Sequence, residues 1–183
     1  MMGRACRVCL VMALCAMNAV QAKLGPPGGP MKLKKFDLPE SFKIISSWES
    51  AVSIADSDSD DIFDCLTANR TAIDYEAQTA TFVWTLHETD HSPRQEVTFS
   101  VRPGPRPGTI DMTVGDDPTV LEGIFYYMDD DCLVMDLEYH GHQCLLWVRK
   151  EAKDNVPQEC FVRFSDACGE PLRQHRRQLC PDA

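Results

Sequence analysis

The stretch Thr79-Ala80-Thr81-Phe82-Val83-Trp84-Thr85-Leu86-His87 alternates: Phe82, Trp84 and Leu86 fall on one side of an extended chain, and Thr81, Val83 and Thr85 on the other. Successive side chains of a strand point to opposite faces, so this run reads as a strand with one buried and one wet face. Similar runs flank it: Ile62 to Tyr75 before, and Gln95 to Val101, Thr109 to Val114, Val120 to Tyr127, Cys132 to Tyr139 and Gln143 to Val148 after. Between them lie turn formers, namely Glu76-Ala77-Gln78, Pro103 to Gly108, Asp116-Asp117-Pro118 and Asp129 to Asp131. So many strands in so short a span make the chain all-β, and the short connections predict an up-and-down meander. A closed small barrel fits this pattern, because closure removes exposed strand edges. An open sandwich also satisfies the periodicity.

Helices are expected at both ends of the meander. Phe42, Ile45, Glu49 and Val52 recur at helical spacing behind Pro39, which suits a first helical turn. Near the C-terminus, Cys160, Phe161, Phe164, Ala167 and Cys168 share one helical face, with Asn155 placed to cap and Gly169 to terminate. The run Asp56-Ser57-Asp58-Ser59-Asp60-Asp61 begins like a calcium loop. It then has Asp61 where glycine is needed and Thr67 where glutamate is needed, so it reads as an acidic connection.

The first 22 residues read as a removable leader. Arg4 and Arg7 make a basic start, Cys9 to Ala19 an apolar run, and Val20-Gln21-Ala22 a small-residue cleavage site. The apolar run is well short of the roughly 20 residues that span a bilayer. Residues 23–36, with Gly25-Pro26-Pro27-Gly28-Gly29-Pro30 and Lys32, Lys34 and Lys35, read as a flexible basic tail, and 37–183 as one domain. Cleavage would leave 16 Lys plus Arg against 28 Asp plus Glu, a formal charge of −12, which disfavours a polyanion partner. It would also remove Cys6, Cys9 and Cys15. The six remaining cysteines read as three disulfides of an extracellular protein, with about 15 possible pairings. Asn69-Arg70-Thr71 is an N-glycosylation sequon, placing a candidate glycan on Asn69.

No nucleophile elbow, phosphate-binding glycine loop or zinc-protease motif occurs, and the chain is read as a non-enzyme without a cofactor. His140-Gly141-His142-Gln143-Cys144 offers alternate metal ligands. Its glycine marks a hairpin turn and Cys144 suits a disulfide, so no metal site is expected.

Four segments, taken together in order and spacing, carry a family resemblance: Phe63-Asp64-Cys65; Phe125-Tyr126-Tyr127-Met128-Asp129 followed by Cys132; Cys144-Leu145-Leu146-Trp147-Val148; and Cys160-Phe161-Val162-Arg163-Phe164 with Cys168-Gly169. From about Phe42 to Cys180 the chain resembles the tick salivary lipocalins of the histamine-binding protein family. The resemblance implies an eight-stranded antiparallel lipocalin barrel around a ligand cavity, with a short N-terminal helix and a C-terminal helix packed outside. It also implies the pairings Cys65–Cys180, Cys132–Cys160 and Cys144–Cys168.

In such a barrel, inward positions alternate along each strand. The expected cavity lining is Phe82, Trp84, Val97, Phe99, Phe125, Tyr127, Leu133, Leu145 and Trp147. Amine-binding members of the family hold an ammonium with inward carboxylates, as a cation leaving water requires. Here the corresponding positions are Leu133, Leu145 and Gly123, which argues against histamine. Asp56, Glu96, Asp111 and Glu122 remain as carboxylates that register could bring inward. An apolar cavity suits a fatty acid, eicosanoid or steroid, with Arg94, Arg102 or Tyr127 reaching a polar end. The resemblance thus implies a secreted monomer that sequesters a small host mediator, amine or lipid, and suppresses host defence. The alternatives are a host-protein antagonist acting through its outer surface and a salivary storage protein.

Overall fold

Strand-favouring runs rich in Thr, Val, Ile and aromatics dominate this computed structural model, which describes residues 40–57, 66–87, 93–169 and 173–174. The elements in chain order are α1 (Ser41–Ser47), β1 (Ser50–Asp56), β2 (Thr67–Asp74), β3 (Thr79–Leu86), β4 (Gln95–Pro103), β5 (Thr109–Val114), β6 (Asp117–Met128), β7 (Cys132–Glu138), β8 (His142–Arg149), α2 (Gln158–Cys168) and β9 (Arg173–Gln174). The leader, the basic tail, Cys65, Cys180 and positions 58–61 of the acidic run lie outside the described residues.

Each strand from β2 to β7 pairs antiparallel with the next, and β1 pairs with both β8 and β2, closing an eight-stranded barrel. The seam to β2 is short, running Ser50↔Asn69, Ala51↔Ala68 and Val52↔Thr67. The short β9 adds to β1 beside Ala55 and Asp56.

The N-terminal helix is shorter than its spacing predicts. It stops at Ser47; Trp48 is extended (φ −116°, ψ 140°), and Glu49 and Val52 lie beyond it. Val52 and Ile54 are β-branched and are buried in β1, a strand hidden from the helical periodicity because it alternates poorly. At the other end, α2 begins at Gln158 with Pro157, rather than Asn155, as its N-cap. Gly169 ends it as expected, at φ 85°, and donates its N–H to the Ser165 carbonyl.

Two apolar clusters divide the molecule. Leu133, Met135 and Leu137 of β7 and Leu145 and Trp147 of β8 belong to the barrel interior. The alternate residues Cys132, Val134, Cys144, Leu146 and Val148 pack outside with Cys160, Phe164, Ala167 and Cys168 of α2. Strand parity therefore feeds both cores, so these two strands are buried on both faces. Disulfides Cys132–Cys160 and Cys144–Cys168 tie α2 to β7 and β8, with Cα–Cα distances of 6.0 and 5.9 Å.

Candidate ligand-binding site

The barrel interior holds a pocket with about 80 Å³ of free space, walled by residues from α1, the residues just after it, and most of the strands. Helix α1 packs on β3 and β4, and Ile44, Ile45 and Trp48 form one side of the pocket. Arg70 holds this side in place. Its side chain is 9% exposed, and Nη1 donates to the carbonyls of Ser46 (2.8 Å), Trp48 (2.9 Å) and Ile45 (3.3 Å). A guanidinium thereby satisfies carbonyls that the end of the helix leaves without partners.

Of the residues expected from sequence, Phe82, Trp84, Phe125, Leu133 and Trp147 line the pocket. Phe99 lies behind it, fully buried, with its ring centroid 4.4 Å from Trp84. Leu145 is likewise fully buried in the interior core and outside the lining, and Val97 packs at the edge of that core. Tyr127 faces the opposite way. A β-bulge between Phe125 and Tyr127 in the β6–β7 pairing resets the alternation, so Tyr126 and Tyr127 both pack on the outer core and Met128 turns inward.

The outward tyrosines have defined partners. Tyr126 donates its hydroxyl to Asp136 Oδ2 (3.1 Å), and burial, then the adjacent Asp136 charge, raises its pKa far above the usual phenol value. Tyr127 donates to Asp129 Oδ2 (2.7 Å), while the Arg163 guanidinium lies 5.0 Å from its ring centroid. Burial opposes charge on Asp129. The N–H of Cys132, the Tyr127 hydroxyl and the N–H of Asp131 outweigh it and hold the carboxyl below its usual range.

None of the carboxylates considered from sequence lines the pocket. Asp111 pairs with Arg102 (3.1 Å), Glu96 with Arg94 (3.0 Å) and Glu122 with Arg106, while Asp56 is buried at the end of β1. Arg94 and Arg102 are committed to those pairs outside the pocket. At Gly123 a Cβ would come within 2.8 Å of Ile110 Cγ1, a lining residue, so glycine lets β5 and β6 approach there. His140 (φ 55°) and Gly141 (φ 111°) form the β7–β8 turn, and His142 Nδ1 lies 3.4 Å from Asp136 Oδ1. Asp129, Cys132 and Cys160 cluster within 4.8 Å, but both sulfurs are spent in a disulfide.

Several lining residues escaped the sequence reading. Ile110, Met112 and Val101 follow the strand parity and could have been found from it. Ile44, Ile45 and Trp48 could not, because strand alternation says nothing about a helix laid against the barrel. No helix among the described residues is long and apolar enough to cross a membrane.

A family model described as tick histamine binding protein matches residues 52–180. Among solved structures, Japanin from Rhipicephalus appendiculatus bound to cholesterol is similar in fold, with a TM-score of 0.50 and 17% identity over 70% of this chain and 94% of that one. No curated protein matches the chain.

Proposed function

The chain belongs to the tick histamine-binding protein family, and from that premise we propose that it is a secreted lipocalin that sequesters a small apolar host mediator in its barrel, thereby suppressing host defence. The observation that carries the preference for an apolar ligand is the pocket wall, in which no carboxylate or other charged side chain appears; Leu133, which the family resemblance sets at an acidic position of amine binders, lies in that wall. Leaving water without a charged partner is prohibitively costly for an ammonium, whereas an apolar body gains by burial. That Japanin is described as bound to cholesterol is in keeping with an apolar occupant in a barrel of this shape.

Native mass spectrometry of the secreted, disulfide-bonded protein tests this reading, using an equimolar mixture of histamine, serotonin, a leukotriene, a thromboxane analogue and a fatty acid. Selective retention of an apolar member is the expected result. Retention of an amine overturns the preference.

A second reading rests on the free volume of about 80 Å³, small beside the roughly 300–1,000 Å³ of ordinary ligand pockets. If the interior serves mainly as core, the outer surface carries the function and the partner is a host protein. Absence of any small-molecule adduct in the same experiment favours that reading. Asn69 is exposed on β2, next to the inward Arg70, and accepts a hydrogen bond from Ser50 Oγ (2.9 Å). We propose it as a glycan site; N-glycosidase treatment of secreted protein should lower its mass.

A further inference from the structure

Two polar groups in the pocket wall make no hydrogen bond among the described residues. Trp48, just past α1, and Trp147, on β8, both line the pocket and are only 7% and 2% exposed. The Nε1 of each is buried and has no hydrogen-bond partner among the described residues. Indole N–H groups donate and cannot accept, and a buried donor without an acceptor is a standing cost to the folded state. The rings themselves are well supported. Trp147 packs against Trp84 with centroids 5.1 Å apart, and the Arg149 guanidinium lies 5.6 Å from the Trp48 ring centroid.

Resting on the pocket reading above, we propose that the ligand is a neutral apolar molecule bearing a hydrogen-bond-accepting oxygen, a ketone or similar group, received by the indole N–H of Trp48 or Trp147. An ammonium is itself only a donor and finds no complement in these groups. A carboxylate would need a cation, and no charged side chain lines the pocket: Arg70 is committed to three carbonyls, and the Arg149 guanidinium lies against the Trp48 ring. Ser50, which also lines the pocket, already gives its proton to Asn69. The wall thus offers donors without charge, and a neutral acceptor on an apolar body is the chemistry that matches it.

The test compares 2-tridecanone with tridecane, two chains of equal length that differ in one oxygen. Binding is followed in the intact disulfide-bonded protein by the indole N–H resonances of the three tryptophans, assigned with the Trp48→Phe, Trp84→Phe and Trp147→Phe variants. The ketone is expected to bind about tenfold more tightly than the hydrocarbon and to move the Trp48 or Trp147 proton downfield. Trp48→Phe or Trp147→Phe should bring the ketone-to-tridecane affinity ratio, measured on the same variant, down toward one, whatever the smaller ring does to the two affinities together. Equal binding of both probes with unmoved indole resonances overturns the donor assignment and leaves the apolar pocket standing. Failure of both probes to bind overturns the pocket reading together with this proposal. Binding of histamine in preference to either overturns the neutral-ligand assignment. Should a variant fail to fold, the ketone–hydrocarbon comparison on the unaltered chain still decides.

Discussion

Leu133 and Leu145 look interchangeable in sequence, and both belong to the interior core, but they stand in different surroundings. Leu133, opposite Trp147, meets the pocket, whereas Leu145, opposite Met135, has no exposure at all. A carboxylate at the first position has free space beside it; at the second it would be buried without a partner. Leu133→Glu is therefore expected to fold and to gain affinity for histamine while losing apolar ligands. Leu145→Glu is expected to lose the cooperative urea transition, and the two outcomes are read by denaturation and by direct binding. Asp129 carries a pH signature. Its lowered pKa contributes stability that is fully present above the usual carboxylate value of 3.8 and is lost as pH falls through the lower folded value. Asp129→Asn should reduce the urea midpoint at pH 7 and flatten its decline between pH 4 and 2. Tyr127 marks the limit of residue-level reading. Parity from Phe125 points it inward, and only the pairing register with β7 reveals the bulge that turns it out.

Among the elements, strands with regular alternation and turn residues were legible from sequence: β5 matches its expected limits and β3 nearly so. What remained hidden is the switch from α1 to β1. Phe42, Ile45, Glu49 and Val52 fit a helix by spacing, but the competing term is tertiary, since β1 supplies the closing pairings to β8 and β2. Arg70 shows the same limit, its role as an anchor for α1 depending on a fold that brings residues over 20 positions apart together. Arg70→Met should cost about 1.5–3 kcal/mol, the range for hydrogen bonds to a charged group, and should weaken ligand binding by loosening the α1 side of the pocket. Urea titration and ligand affinity measure the two effects. Arg70→Lys should recover only part of either, because an ammonium lacks the planar fork. The disulfides act on the other core. Replacing Cys132 and Cys160 together by Ala opens a link spanning 28 residues, with an expected loss of about 3–4 kcal/mol by loop-closure entropy. Ligand affinity of the folded fraction should be unchanged, because α2 packs outside the barrel and contributes nothing to the pocket wall.

At the scale of the molecule, the two cores separate a clamped side from an adaptable one. The α2 side carries two disulfides, and β7 and β8 are packed on both faces there. The pocket side is bounded by seven-residue α1 and by Met112, Met128 and Met135, whose unbranched side chains re-pack readily. About 80 Å³ of free space cannot receive a lipid-sized body without movement, and the close packing of the barrel directs that movement to the methionines and α1. Occupancy at 100 times Kd would stabilise the folded state by about 2.7 kcal/mol, which corresponds to a rise in Tm of about 5–10 °C for a chain of this size. A uniform rise alone would not locate the response. Hydrogen exchange under native conditions does, since local openings report each element separately. On addition of 2-tridecanone, the amides of α1 and of the β1–β2 seam should change protection severalfold while those of α2 stay as they were. A change centred on α2 would place the adaptable side, and with it the route of entry, at the opposite wall of the barrel.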